Sequence, residues 1–211
     1  MTKFLPIFPL NLVVYPGQHL NLHIFEPRYI QLINECKHDD KTFGIPSVNK
    51  DLLNEYGTEM KILEISKVYD DGEMDIATMG MDIFRIVEVL REVPDKLYPA
   101  AVVYQVESPG PDTTILNPTL VDLLKKLHLL LGTNFDLYQK FAKPTSFDVA
   151  HYAALSPEDQ YRLLTSPSEK GRQWFIIQHL LKLIPTLEDA ERVKAKVQMN
   201  GHFRREIPPT F

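Results

Sequence analysis

The chain has 211 residues, 44% of them hydrophobic, with a formal net charge of −5. That length and apolar content exclude a disordered chain and allow one domain or two small ones. The acidic balance excludes a global basic field, so nucleic acid or an anionic membrane would need a local patch, and Cys36 as the only cysteine excludes an intrachain disulfide or a cysteine-built zinc cluster and fits a reducing, cytoplasmic setting.

Lys3 followed by the apolar run 4–15 imitates the charged and apolar regions of a signal peptide, but Pro6, Pro9 and Asn11 interrupt it and no small-x-small cleavage site follows. The run is instead the first strands of a sheet, with Pro16-Gly17 as a turn. Glu26-Pro27-Arg28-Tyr29 opens a helix over 28–37, where Tyr29, Ile30, Leu32, Ile33 and Cys36 recur at helical spacing. A strand over 58–68 alternates Met60, Ile62, Leu63, Ile65 and Val68 among charges, Asp70-Asp71-Gly72 turns, and 74–79 returns as a hairpin. Further strands are expected over 82–90 and 98–106.

Ser108-Pro109-Gly110-Pro111-Asp112 breaks both strand and helix. It divides a β-rich part, 1–108, from a linker, 109–116, a helical part, 117–201, and a tail, 202–211. Asn117 before Pro118 caps a helix with the apolar stripe Leu120, Leu123, Leu124, Leu127, Leu130 and Leu131. Ser156-Pro157, Ser166-Pro167-Ser168 and Thr186-Leu187 each precede acidic residues and signal further helix starts. The strongest helix spans about 168–184, with Trp174, Phe175, Ile177, Leu180, Leu181 and Ile184 toward a core, and Pro185 is expected to stop it. The longest apolar run, 127–131, is far short of the roughly 20 residues a bilayer requires.

Three stretches together resemble the N-terminal, substrate-binding domain of Lon proteases, a domain also found in stand-alone proteins and in cereblon. The first is Leu5-Pro6-Ile7-Phe8-Pro9-Leu10 with Tyr15-Pro16-Gly17 and Phe25-Glu26-Pro27-Arg28-Tyr29. The second is Tyr56-Gly57-Thr58 with Ile62 and Ile65, then Asp71-Gly72, Gly80 and Phe84-Arg85-Ile86. The third is Ala154-Leu155-Ser156 with Tyr161-Arg162-Leu163-Leu164-Thr165. The resemblance implies an α+β molecule: an N-terminal PUA-like pseudo-barrel with one short helix, followed by a C-terminal helical bundle. It implies a non-enzymatic module that binds extended polypeptide or a protein partner, an adaptor or accessory factor in protein quality control. No Gly-x-x-x-x-Gly-Lys-Ser/Thr phosphate loop occurs in the sequence.

His19 and His23 could face one way on a strand as metal ligands, but no third ligand is near, and no metal or cofactor is expected. Ser66 and Lys67, adjacent on a strand, point to opposite faces and cannot share a proton. Asp70 to Asp75 reads as a turn rather than a calcium loop. Glu26 and Arg28 read as an ion pair more readily than as a clamp for a ligand carboxylate. Arg192, Lys194, Lys196, His202, Arg204 and Arg205 form the basic concentration, expected to be a solvated face; Phe203, Ile207 and Phe211 could dock on a second subunit and make a homo-oligomer.

The expected contact set for a peptide or partner is Phe8, Tyr15, Phe25, Glu26, Arg28, Tyr29 and Tyr56, on apolar surface or sheet edges that accept extended chain. The rivals are a hydrolase in the cleft between the two parts, which requires a buried polar cluster there, and an RNA-binding module of the PUA type, which requires a basic stripe.

Overall fold

Six strands, β1 (Thr2–Pro6), β2 (His19–Ile24), β3 (Phe43–Asn49), β4 (Leu52–Val68), β5 (Met74–Leu90) and β6 (Ala100–Gln105), form one antiparallel sheet in the order β1-β6-β5-β4-β3, with β2 on β5. This is seen in a computed structural model that describes residues 2–50, 52–106, 115–133, 135–137, 141 and 143–202, with side chains described as far as Val197. Parallel bridges from Ile7 to Gly44 and from Leu10 to Ser47 carry the chain beyond β1 alongside β3. The two ends of the strand order therefore meet, and the sheet closes into a pseudo-barrel without a long free edge.

The expected strands over 74–79 and 82–90 are one strand, β5. Gly80 at their junction does not break it; the residue leaves room for a neighbouring backbone. A Cβ there would lie 2.3 Å from the Tyr15 carbonyl oxygen. The Pro16-Gly17 turn docks on this spot, with Gly17 N–H donating to Gly80 O and Gly80 N–H to Gln18 O, each at 2.8 Å. Register shifts along the β4–β5 ladder, after Thr58, Ile62 and Ile65, bend the long hairpin.

Helix α1 (Pro27–His38) starts at Pro27, whose missing N–H has no intrahelical partner to lose. It buries Tyr29, Leu32, Ile33 and Cys36, as the periodicity predicts. They pack with Phe43, Ile45, Met60, Ile62, Met74 and Ile76 of the sheet. Burying these four side chains supplies roughly 6–12 kcal/mol of gross stabilisation, an upper bound because unfolded chains are already partly collapsed.

The helical half comprises α2 (Pro118–Leu130), α3 (Ser146–Ala150), α4 (Pro157–Leu164) and α5 (Glu169–His202). Asn117 caps α2 by accepting from Thr119 N–H, and Ser156 caps α4 by accepting from Asp159 N–H. Ser168 caps α5 by accepting from Gly171 N–H. The stop expected at Pro185 and the new start at Thr186 are absent, because α5 runs through both. Pro185 is exposed, so the Leu181 carbonyl that loses its intrahelical donor faces the solvent side, where water can replace it. The Thr186 hydroxyl donates back to Lys182 O at 3.1 Å instead of capping a second helix.

Along α5, Ile177, Leu180 and Ile184 enter the core with Ile176, whereas Trp174 and Leu181 are exposed. The linker signal 108–112 and the tail 203–211 lie outside the described residues. Val13, Tyr15 and Ile83 of the strand half share one apolar cluster with residues of α2, α3, α4 and α5.

Candidate functional site

The turn at Tyr15-Pro16-Gly17-Gln18 is held from within: Gly17 takes φ of +80°, Gln18 N–H donates to Tyr15 O, and Tyr15 N–H donates to Gln18 Oε1. With the turn fixed on Gly80, the Tyr15 ring projects into the seam between sheet and helices. Phe147 of α3 stacks on it at 5.0 Å between centroids, and His151 lies 5.2 Å away. Tyr15 Oη donates to Gln160 O of α4. Beside these rings opens a cavity of about 330 Å³, lined by Pro16, Gln18, His19, Phe141, His151 and Tyr152 among others. Such a volume admits one large side chain or a compact small molecule.

Burial raises the Tyr15 hydroxyl above its usual range and lowers the His151 imidazole, so at neutral pH both are uncharged. Asp148, the acid lining this cavity, accepts from Thr145 N–H and Oγ1 in a capping box. The hydrolase reading required a buried polar cluster with strongly shifted acid or histidine groups in this cleft. His151 is shifted by burial alone.

A buried polar network supports the wall. Glu169 accepts from Ser146 N–H and Oγ, from Arg172 Nη2 and from Gln173 Nε2. Arg172 also donates to Ser166 O and lies 4.2 Å over the Phe147 ring, and Asn117 N–H donates to Gln173 Oε1. The starts of α2, α3 and α5 are thus joined at one carboxylate.

The seven expected contact residues fall in three places. Phe8 and Tyr29 stack at 3.9 Å inside the barrel core. With Tyr15, they are only 8%, 5% and 1% exposed, so these three rings do not lie on open surface; each is taken up by packing across the chain. Phe25 is exposed and stacks on the His23 ring at 6.2 Å between centroids. Glu26 and Arg28 pair with each other at 2.7 Å, and Arg28 covers Tyr29. Tyr56 is half-buried at a second seam, its N–H donating to Tyr161 Oη.

Phe141, Phe147, His151 and Tyr152 were missed by sequence reasoning. The four-residue spacing of Phe147 and His151, which places two rings on one helical face, was the available signal.

His23 lies between Asp75 and Glu73, at 2.7 and 3.0 Å. Among the described residues no group of three or more side chains is arranged to hold a metal ion. Ser66 Oγ donates to Asp75 O, while the Lys67 amino group sits over the Tyr69 ring, so the two side chains diverge. Gly72, with φ of +88°, closes the β4–β5 turn. No helix among the described residues is long and apolar enough to cross a membrane.

The family model of the ATP-dependent protease La (LON) substrate-binding domain matches residues 4–182. The chain belongs to the LON substrate-binding domain family. The structure of a Lon N-terminal domain protein from Xanthomonas campestris superposes on this LON domain with a TM-score of 0.60 at 25% identity, covering 87% of this chain and 98% of the other. The N-terminal domain of Mycobacterium avium complex Lon protease gives 0.61 at 17% identity, covering 84% and 98%, and supports the fold alone. In sequence the LON domain is 27% identical to Lon protease of Syntrophus aciditrophicus across 94% of its own length, and 31% identical over 102 residues to Lon protease 2 of Myxococcus xanthus. It spans 27% and 12% of the lengths of those two proteins. The strand-rich half, the helices and the role of a substrate-binding domain thus agree with the family.

Proposed function

We propose that this chain is a non-enzymatic module that binds extended or unfolded polypeptide segments, seating one aromatic or large aliphatic side chain in the cleft beside Tyr15. The observation that carries this reading is the ring-lined cavity at the junction of barrel and helices, with walls from Phe141, Phe147, His151 and Tyr152. Its walls are mainly uncharged at neutral pH, so an apolar side chain loses its hydration there without displacing strong polar contacts. In a cell such a module would act as an adaptor or accessory factor in protein quality control.

The test is fluorescence anisotropy with a labelled, intrinsically unfolded peptide carrying one central phenylalanine, compared with the same peptide carrying serine there. Binding should weaken at least tenfold with the serine peptide and with Phe141→Ser in the protein. Equal binding of both peptides, or none by either, refutes the reading.

A further inference from the structure

The imidazole of His151 lines the cavity, 5.2 Å from the Tyr15 ring, and its nitrogens have no hydrogen-bond partner among the described residues. Two other histidines of the chain are different. His23 engages both ring nitrogens with Asp75 and Glu73, and His128 engages both with Thr133 and the Tyr152 carbonyl. Polar atoms beside His151 are already engaged: Tyr15 Oη donates to Gln160 O, Gln18 Oε1 accepts from Tyr15 N–H, and Asp148 Oδ2 accepts from Thr145 N–H and Oγ1. Part of the His151 ring stays open to solvent, so its hydrogen-bonding capacity is available to whatever fills the cavity.

Resting on the polypeptide-binding reading above, we propose that His151 selects the seated side chain: its imidazole accepts a hydrogen bond from the hydroxyl of a tyrosine, so that segments carrying tyrosine are held in preference to segments carrying phenylalanine. A neutral imidazole keeps one nitrogen as an acceptor, and burial holds His151 in its neutral form at neutral pH. Any ring that fills the cavity removes water from that nitrogen. Phenylalanine leaves it unpaired, whereas tyrosine replaces the lost water with its own O–H. Phe141 and Phe147 give either ring the same apolar walls, so the difference between the two rests on the hydroxyl. A site built to pair a hydroxyl rejects the analogue that lacks it far more strongly than an apolar pocket rejects an added hydroxyl.

The experiment is a mutant cycle by fluorescence anisotropy, with the full chain and three labelled unfolded peptides that differ only in a central tyrosine, phenylalanine or serine. Wild type should bind the tyrosine peptide at least about fivefold more tightly than the phenylalanine peptide. H151F, which keeps a ring but no acceptor, should bind those two peptides equally and hold the phenylalanine peptide no more weakly than wild type does. H151Q retains an acceptor and should keep part of the preference. A merely structural role for His151 would weaken both peptides together and leave their ratio unchanged, which overturns the proposal. A wild type that binds tyrosine and phenylalanine peptides alike, both more tightly than serine, also overturns it and leaves the polypeptide reading standing. Failure of all three peptides to bind overturns both. N-acetyltyrosinamide should compete only at concentrations at least about a hundredfold above the dissociation constant of the tyrosine peptide, because it lacks the flanking chain; competition at that constant itself would make the ligand a free phenol and overturn the assignment to a polypeptide.

Discussion

Glu169→Ala tests whether the buried network holds the helical half together. The carboxylate is 2% exposed and accepts from the Ser146 amide and hydroxyl, Arg172 and Gln173. Its loss leaves the Arg172 guanidinium, whose side chain is 12% exposed, without its anion. Removing one member of a buried pair typically costs about 3–5 kcal/mol, mostly because the remaining charge stays desolvated. For a chain of this size each kcal/mol moves the midpoint by about 2–4 °C, so melting should fall by roughly 6–20 °C. The assay is thermal and urea unfolding followed by Trp174, the only tryptophan, which adjoins Gln173 of the network on α5. Glu169→Gln keeps the shape and some acceptor capacity and should cost less than Glu169→Ala. A loss below about 1 kcal/mol for Glu169→Ala would refute the reasoning, since it would mean water reaches Arg172 in the folded state.

Gly80→Ala would drive a methyl group onto the Tyr15 carbonyl, and should cost about 2–3 kcal/mol in urea unfolding; an unchanged midpoint would show that the turn does not press on β5. Pro185→Ala restores a helical N–H at an exposed site within α5 and should stabilise the chain by up to about 3 kcal/mol with unchanged helix content; a loss of stability would show that the helix needs its proline. His23, held by Asp75 and then Glu73, should titrate above 6.5 in its NMR ring shifts, and Asp75→Asn should lower that value. Because the folded pKa is the higher one, any stabilisation from this exposed histidine is full below 6.5 and fades as pH rises through the folded value; a ring that titrates at 6.5 in both chains contradicts the contact. The Cys36 thiol, pushed up to about 11 mainly by burial, should react with a thiol reagent at pH 8 far more slowly in folded than in urea-unfolded protein; equal rates would place the thiol at the surface.

Local signals in the sequence located α1, α2 and α4 closely, because proline at the first helical position, a capping side chain and a repeating apolar face are short-range features. They failed where a distant backbone decided the outcome. The strands expected over 74–79 and 82–90 are one strand because Gly80 between them lets the Tyr15 carbonyl lie across it without interrupting the ladder. Pro185 resembled a helix end, but its exposed carbonyl partner lets α5 continue.

The candidate site shows the same division. Tyr15-Pro16-Gly17 was recognisable as a turn belonging to the family, but not the place to which its tyrosine would point. Phe8, Tyr15 and Tyr29 were expected at a contact surface because aromatic rings serve cores and binding faces alike, and composition does not separate the two uses. What the sequence determined by itself was the family, the change from strand to helix along the chain, and the helix caps, all set by neighbours within a few residues or by a motif. Tertiary structure alone decided which rings are buried, that Phe147 and His151 come to stand beside Tyr15, and that Glu169 joins three helix starts. The seam around Tyr15 joins segments more than a hundred residues apart, and the Glu169 network joins segments 23 and 56 residues apart, meetings that only the folded chain brings about.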